Sequence, residues 1–117
     1  LVVRSAELGA IAREFFEQAA QKYPFIGDVR LYGLNGGIEI VTADGQADVA
    51  GTTKIIYRLF QLGVIMISLR GNVLRFQPPL VITRAQLQTA FDKLTQTFEA
   101  FMADELDLPE TDHHIGW

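Results

Sequence analysis

The chain contains no cysteine. A disulfide framework and a thiolate metal site are therefore both excluded, which argues against a small secreted scaffold. No apolar run approaches the roughly 20 residues that a membrane-spanning helix needs, since the longest, residues 62–69, is interrupted by Gly63 and Ser68. No basic segment followed by an apolar one marks a signal peptide. We therefore expect a cytoplasmic protein with no membrane partner.

Basic residues are also scarce, with 10 Lys and Arg against 14 Asp and Glu and a net charge of −4. They form no stripe with interleaved aromatics, so nucleic acid is not expected as a partner. The 49% hydrophobic content and the length of 117 residues fit one globular domain. The opening Leu1-Val2-Val3 has no initiator Met and runs directly into a helical pattern, which predicts a fragment of a longer chain.

Hydrophobic periodicity predicts three amphipathic helices. The first ends before Pro24 and carries an apolar stripe of Leu8, Ile11, Ala12, Phe15, Phe16, Ala19, Ala20 and Tyr23. The second covers residues 48–62, ends at a left-handed cap on Gly63, and is expected to turn Ile55, Ile56, Leu59 and Phe60 inward. The third begins at Thr83, forms a capping box with Gln86, and buries Leu87, Ala90, Phe91, Leu94, Phe98 and Phe101.

Four strands are predicted between these helices. Residues 26–32 and 38–42 flank a glycine-rich bend, whereas residues 64–69 and 73–77 form a hairpin that Pro78-Pro79 ends. The resulting order predicts an α+β fold: a two-layer sandwich, with a mostly antiparallel sheet of about four strands and helices packed on one face. We expect this domain to cover residues 1–103 and a polar tail to cover residues 104–117.

Few residues offer chemistry. His113 and His114 are adjacent in the predicted tail beside Asp112, where a solvated segment is a better interpretation than a metal or acid–base site. An imine-forming lysine needs a pocket that lowers its pKa. Lys22, Lys54 and Lys93 instead fall on predicted helices among polar neighbours, so we expect solvent exposure and no cofactor attachment.

Arg75 is the exception because it lies inside a predicted strand. The alternation of the strand places Leu74 and Phe76 in the core and Arg75 on the opposite face, with Val73 and Gln77. A guanidinium held just before a rigid Pro-Pro pair suits bidentate recognition of a carboxylate. A solvated arginine on the outer face of the sheet is the alternative, and the pattern alone favours it.

Residues 71–83 read Gly-Asn-Val-Leu-Arg-Phe-Gln-Pro-Pro-Leu-Val-Ile-Thr and lead into a capped helix. This segment resembles the C-terminal region of class III aminotransferases, in which the final strand ends in an arginine, two residues and a Pro-Pro pair. Residues 26–30 and 33–39 are similar to strands of the same small domain. The resemblance extends from about residue 5 to residue 101 in the order and spacing of the family.

The resemblance implies a parent enzyme of fold type I that moves an amino group from an amine to a 2-oxo acid with pyridoxal 5'-phosphate. Ornithine, acetylornithine, diaminobutyrate, 4-aminobutyrate and putrescine are the donors that it implies. Arg75 then faces the active site, where it receives a substrate carboxylate or pairs with a glutamate of the large domain.

The family places its imine-forming lysine, the aspartate at the pyridine nitrogen and the phosphate-binding residues in a large domain that nothing in this sequence matches. We therefore expect no cofactor in this fragment, no catalysis by it alone, a large domain in the same chain and a homodimer when whole. The alternative is a free-standing α+β module that binds an amino acid or a partner protein.

Overall fold

Three helices and four strands follow one another in the predicted order. The computed structural model describes residues 2–79 and 81–109, with side chains from residue 6 onward. The elements are α1 (Val2–Lys22), β1 (Ile26–Tyr32), β2 (Asn35–Ile40), α2 (Val49–Gln61), β3 (Ile67–Leu69), β4 (Val73–Phe76) and α3 (Arg84–Met102).

The four strands form one sheet in the order β1-β2-β4-β3, and every neighbouring pair is antiparallel. Apolar side chains from one face of the sheet and from all three helices meet in a single core, which confirms the predicted two-layer α+β sandwich. Its fully buried large side chains are Phe16, Phe91, Phe98, Ile38, Ile40, Ile55, Ile56, Leu59, Leu74, Leu87 and Leu94.

The helix ends follow the capping signals of the sequence. Asp48 accepts a hydrogen bond from the Gly51 backbone N–H at 2.8 Å and so caps the start of α2. Gly63 has a φ of 86° just after α2, as predicted. Thr83 and Gln86 exchange both bonds of the capping box that begins α3.

The predicted apolar face of α2 is wrong at Phe60. Ile55, Ile56 and Leu59 are almost fully buried, but Phe60 is 50% exposed. It lies at the edge of the stripe, one residue before the helix ends at Gln61. Helical periodicity alone does not show where the neighbouring layer stops.

The glycine-rich segment is also more regular than predicted. The bend is only Gly33 and Leu34, while Gly36 and Gly37 belong to β2. A Cβ at Gly36 would lie 2.2 Å from the carbonyl oxygen of Arg30, and one at Gly37 would lie 2.8 Å from Val73 Cγ1. Close packing between strands therefore accounts for both glycines.

The second hairpin is shorter than predicted, since ladder pairing in β3 begins at Ile67 and β4 ends at Phe76. Residues 64–66 have no ladder partner, and Pro78 and Pro79 lack the N–H group that a longer ladder needs. The turn is anchored to β2, because Asn72 Nδ2 donates to the Ile40 carbonyl at 3.1 Å.

The predicted polar tail contains a residue that packs into the core. Leu106 is only 4% exposed, whereas Asp104, Glu105 and Asp107 remain exposed. The isolated Leu106 was missed because it shows no periodicity. Asp112, His113 and His114 lie outside the described residues, and the domain boundary after residue 103 stays a prediction.

A polar cluster joins the C-terminal ends of α1 and α3. Lys22 Nζ lies 2.6 Å from Glu99 Oε2, and the Tyr23 hydroxyl donates a hydrogen bond to the same oxygen. The bonds from Lys22 and Tyr23 lower the pKa of the Glu99 carboxyl. The bond to Glu99 raises the pKa of Lys22, whereas burial and then the same bond raise the pKa of Tyr23.

We expect this cluster to make stability depend on pH at both ends. The lowered pKa of Glu99 gives stability that is present above the ordinary glutamate pKa and is lost as pH falls through the lowered value. The raised pKa values of Lys22 and Tyr23 give stability that is lost as pH rises through them. Thermal unfolding of Glu99→Gln across pH should show a flatter acid limb than the unchanged chain.

The matched control is Glu14→Gln, because Glu14 is an exposed glutamate whose carboxylate accepts only from Gln18 on its own helix at 3.2 Å. Its acid limb should follow that of the unchanged chain. A Glu99→Gln profile that also follows the unchanged chain would contradict the coupling.

Candidate functional site on the open face of the sheet

One face of the sheet carries no helix. Arg75 of β4 lies on this face between Gly37 of β2 and Ile67 of β3, and Arg30 of β1 lies on the far side of Gly37. Leu74 and Phe76 point to the core on the other side, at 0% and 5% exposure. The structure thus places Arg75 on the face away from the helices, as strand alternation predicts.

The guanidinium of Arg75 makes no hydrogen bond or ion pair to any other residue among those described. Arg75 is half-buried, so neighbouring residues restrict its side chain although none of those described pairs with its guanidinium. Arg30 differs, because its Nε donates to Asp28 Oδ2 at 2.8 Å. Arg75 therefore has its full set of donors available for an anion.

Arg75 also lines a cavity of about 480 Å³ between the β3 edge, Pro78-Pro79 and α3. This volume lies within the range of roughly 300–1,000 Å³ that small-molecule sites occupy. Apolar side chains from Val64 to Ile67 form one wall, and Gln86, Thr89 and Lys93 of α3 contribute polar groups to the other. A single oriented fork beside an apolar cavity can bind a carboxylate and hold its remaining atoms against the protein.

Lys93 was missed as a residue of this cavity. It was expected to be solvent-exposed, but Lys54 and Lys93 are both half-buried, and only Lys22 is exposed as predicted. The helical spacing could have indicated this position, because Lys93 comes three residues after Ala90 and immediately before buried Leu94. Tertiary packing turns this flank of α3 toward the cavity.

Other classes of site find little support in the described part of the chain. Within residues 2–79 and 81–109, no group of three His, Asp or Glu side chains could hold a metal ion. No helix among these residues is long and apolar enough to cross a membrane.

The fold agrees with the family that the sequence resembles. The model of the family Aminotransferase class-III matches residues 1–98. The chain therefore belongs to the class III aminotransferase family.

Two curated relatives are similar to this chain over most of its length. The chain is 48% identical over 121 aligned residues to isoleucine 2-epimerase of Lentilactobacillus buchneri, covering 100% of this chain and 26% of the relative. It is 35% identical over 109 residues to diaminobutyrate–2-oxoglutarate aminotransferase of Rhizobium meliloti, covering 85% and 23%. The chain thus spans about a quarter of the length of these relatives.

A solved structure gives the same result for the fold. The PMP-bound form of an aminotransferase from Vibrio fluvialis superposes with a TM-score of 0.77 at 26% identity, covering 86% of this chain and 23% of that one. Enzymes of this family use pyridoxal phosphate. Lys22 has a raised pKa because it pairs with Glu99, the opposite of what an imine-forming lysine needs.

Proposed function

We propose that this chain is the C-terminal small domain of a pyridoxal-phosphate-dependent aminotransferase and that it helps to form the substrate site. The observation that carries the proposal is the half-buried Arg75, whose guanidinium has no hydrogen-bond or ion-pair partner among the described residues. It lies on the face of the sheet away from the helices and lines a cavity that α3 also lines. Such a fork binds a carboxylate through two parallel hydrogen bonds and so sets the orientation of the rest of the substrate. In this proposal the fragment is not catalytic by itself.

We propose that the cofactor and the substrate carboxylate are bound by different parts of the whole protein. Pyridoxal phosphate supplies the electron sink for chemistry at an amino-acid α-carbon, whereas the protein supplies binding and orientation. Arg75 can provide orientation, and Lys22 is exposed and paired with Glu99, so in this proposal the fragment itself holds no cofactor. The large domain that the family implies is therefore the proposed place for the cofactor.

The open face supports such a domain as the partner. Tyr32 and Ile65 are each 76% exposed there, and Leu69 is 45% exposed. Large apolar side chains gathered on one face mark a surface that another element covers. We propose the large domain of the same polypeptide as that element, a homodimer as the assembled enzyme and the cytoplasm as its location.

Racemisation or 2-epimerisation of an amino acid is a second candidate. The 48% identity over the whole of this chain to an isoleucine 2-epimerase favours it. Both reactions break a bond at the α-carbon and both need the carboxylate held in place. They differ in whether the amino group leaves the substrate.

The test is an assay of the full-length enzyme with pyridoxal phosphate and enantiopure amino acids, with and without a 2-oxo acid. Amine transfer predicts that a new amino acid forms from the 2-oxo acid. Epimerisation predicts that the opposite configuration accumulates by chiral chromatography without any 2-oxo acid. If neither product forms with any amine or amino acid, both candidates are wrong.

A further inference from the structure

The cavity beside Arg75 is lined mainly by apolar and cationic side chains. Its apolar members are Val64, Ile65, Met66, Ile67, Phe76, Pro78, Pro79, Ile82, Ala90 and Leu94. Its charged members among the described residues are both cations, Arg75 and Lys93, and no described Asp or Glu lines it. The ammonium of Lys93 lies 3.8 Å from the position that a Cβ would take at Gly63, which places it at the cavity wall.

A ligand whose carboxylate binds Arg75 brings its remaining atoms against this lining. An aliphatic side chain would bind favourably there, because its apolar surface leaves water. A second ammonium group would lose hydration, find no carboxylate in the lining and be repelled by Lys93. Burial and charge therefore both favour an aliphatic substrate over one that carries a second ammonium group.

We propose that the substrate of the assembled enzyme is an α-amino acid with an aliphatic side chain and that diamines are rejected. This chain supplies one wall of the side-chain pocket, with Arg75 as the carboxylate anchor and Lys93 as the residue that excludes a distal ammonium. The inference rests on the proposed function and narrows its substrate class.

The first test is a panel of substrates on the full-length enzyme with pyridoxal phosphate. Isoleucine, valine and leucine should be converted with a kcat/KM at least about tenfold above that of ornithine, diaminobutyrate and putrescine. Preferred conversion of the diamines would overturn the inference and leave the proposed function intact. If no amino acid or diamine reacts at all, the proposed function itself fails.

The second test reverses one charge at the cavity. Lys93→Glu should raise kcat/KM for ornithine relative to isoleucine by about tenfold or more, because an acid then faces the distal ammonium. Lys54→Glu is the matched control, since Lys54 is also a half-buried helical lysine but does not line this cavity.

Circular dichroism and thermal unfolding establish that both variants fold. An unchanged ornithine-to-isoleucine ratio in folded Lys93→Glu, or an equal change in Lys54→Glu, would contradict the role of Lys93. Ile65→Ala should lower conversion of isoleucine, while Val49→Ala, at an exposed position of α2 outside the cavity, should leave it unchanged.

Discussion

Arg75→Ala in the full-length enzyme should lower kcat/KM for carboxylate substrates by roughly 10- to 100-fold while the thermal stability stays close to that of the unchanged protein. A hydrogen bond to a charged group contributes about 1.5–3 kcal/mol, and each 1.4 kcal/mol corresponds to about tenfold. Stability should change little because the guanidinium has no partner among the described residues. Steady-state kinetics and a melting curve of the same preparation measure both quantities.

Two further variants sharpen this prediction. Arg75→Lys keeps the charge but loses the planar fork, so it should recover only part of the lost kcat/KM. Arg30→Ala is the matched control, because Arg30 lies on the same face across Gly37 but is 77% exposed and already paired with Asp28. Kinetics of Arg75→Ala that match those of the unchanged enzyme for every carboxylate substrate would show that the assigned role is wrong.

Phe91→Ala should lower the free energy of unfolding by about 3–5 kcal/mol, the usual cost of deleting a buried phenylalanine. The ring of Phe91 is 2% exposed and stacks on Phe15 with centroids 4.1 Å apart. It also meets the rings of Phe16 and Phe76 at 5.8 and 6.0 Å. Because these rings come from α1, β4 and α3, the deletion opens a cavity where both layers of the sandwich meet.

Chemical denaturation of the 117-residue chain measures this loss, with Phe60→Ala as the control. Phe60 is 50% exposed, so its deletion should change the free energy of unfolding by no more than about 0.5 kcal/mol. Equal losses in the two variants would show that the aromatic cluster around Phe91 is not the centre of the core.

The local signals of the sequence predicted most of the elements. Each helix has an apolar stripe with a period near 3.6, and α3 begins at the cap that the sequence predicts, Thr83. These signals work because the residues that form them are close in sequence. Strand alternation likewise placed Arg75 opposite Leu74 and Phe76 without knowledge of the sheet order.

The errors share a different cause. Phe60 was expected inside, and Lys93 and Leu106 outside, because local patterns do not reveal where a neighbouring layer begins or ends. Gly36 and Gly37 were assigned to a bend because their packing partners, such as Val73, lie on other strands. In each case the deciding neighbour is distant in the sequence.

By itself, the sequence determined the number and order of the elements, the caps, and the face of the strand on which Arg75 lies, since periodicity and hydrogen bonding within a few residues control them. Only the tertiary structure decided that α3 and the β3 edge enclose a cavity beside Arg75, that Lys93 joins it, and that no acid of the described chain neutralises that arginine. These features depend on how separate elements pack, and packing brings together residues that no local pattern connects.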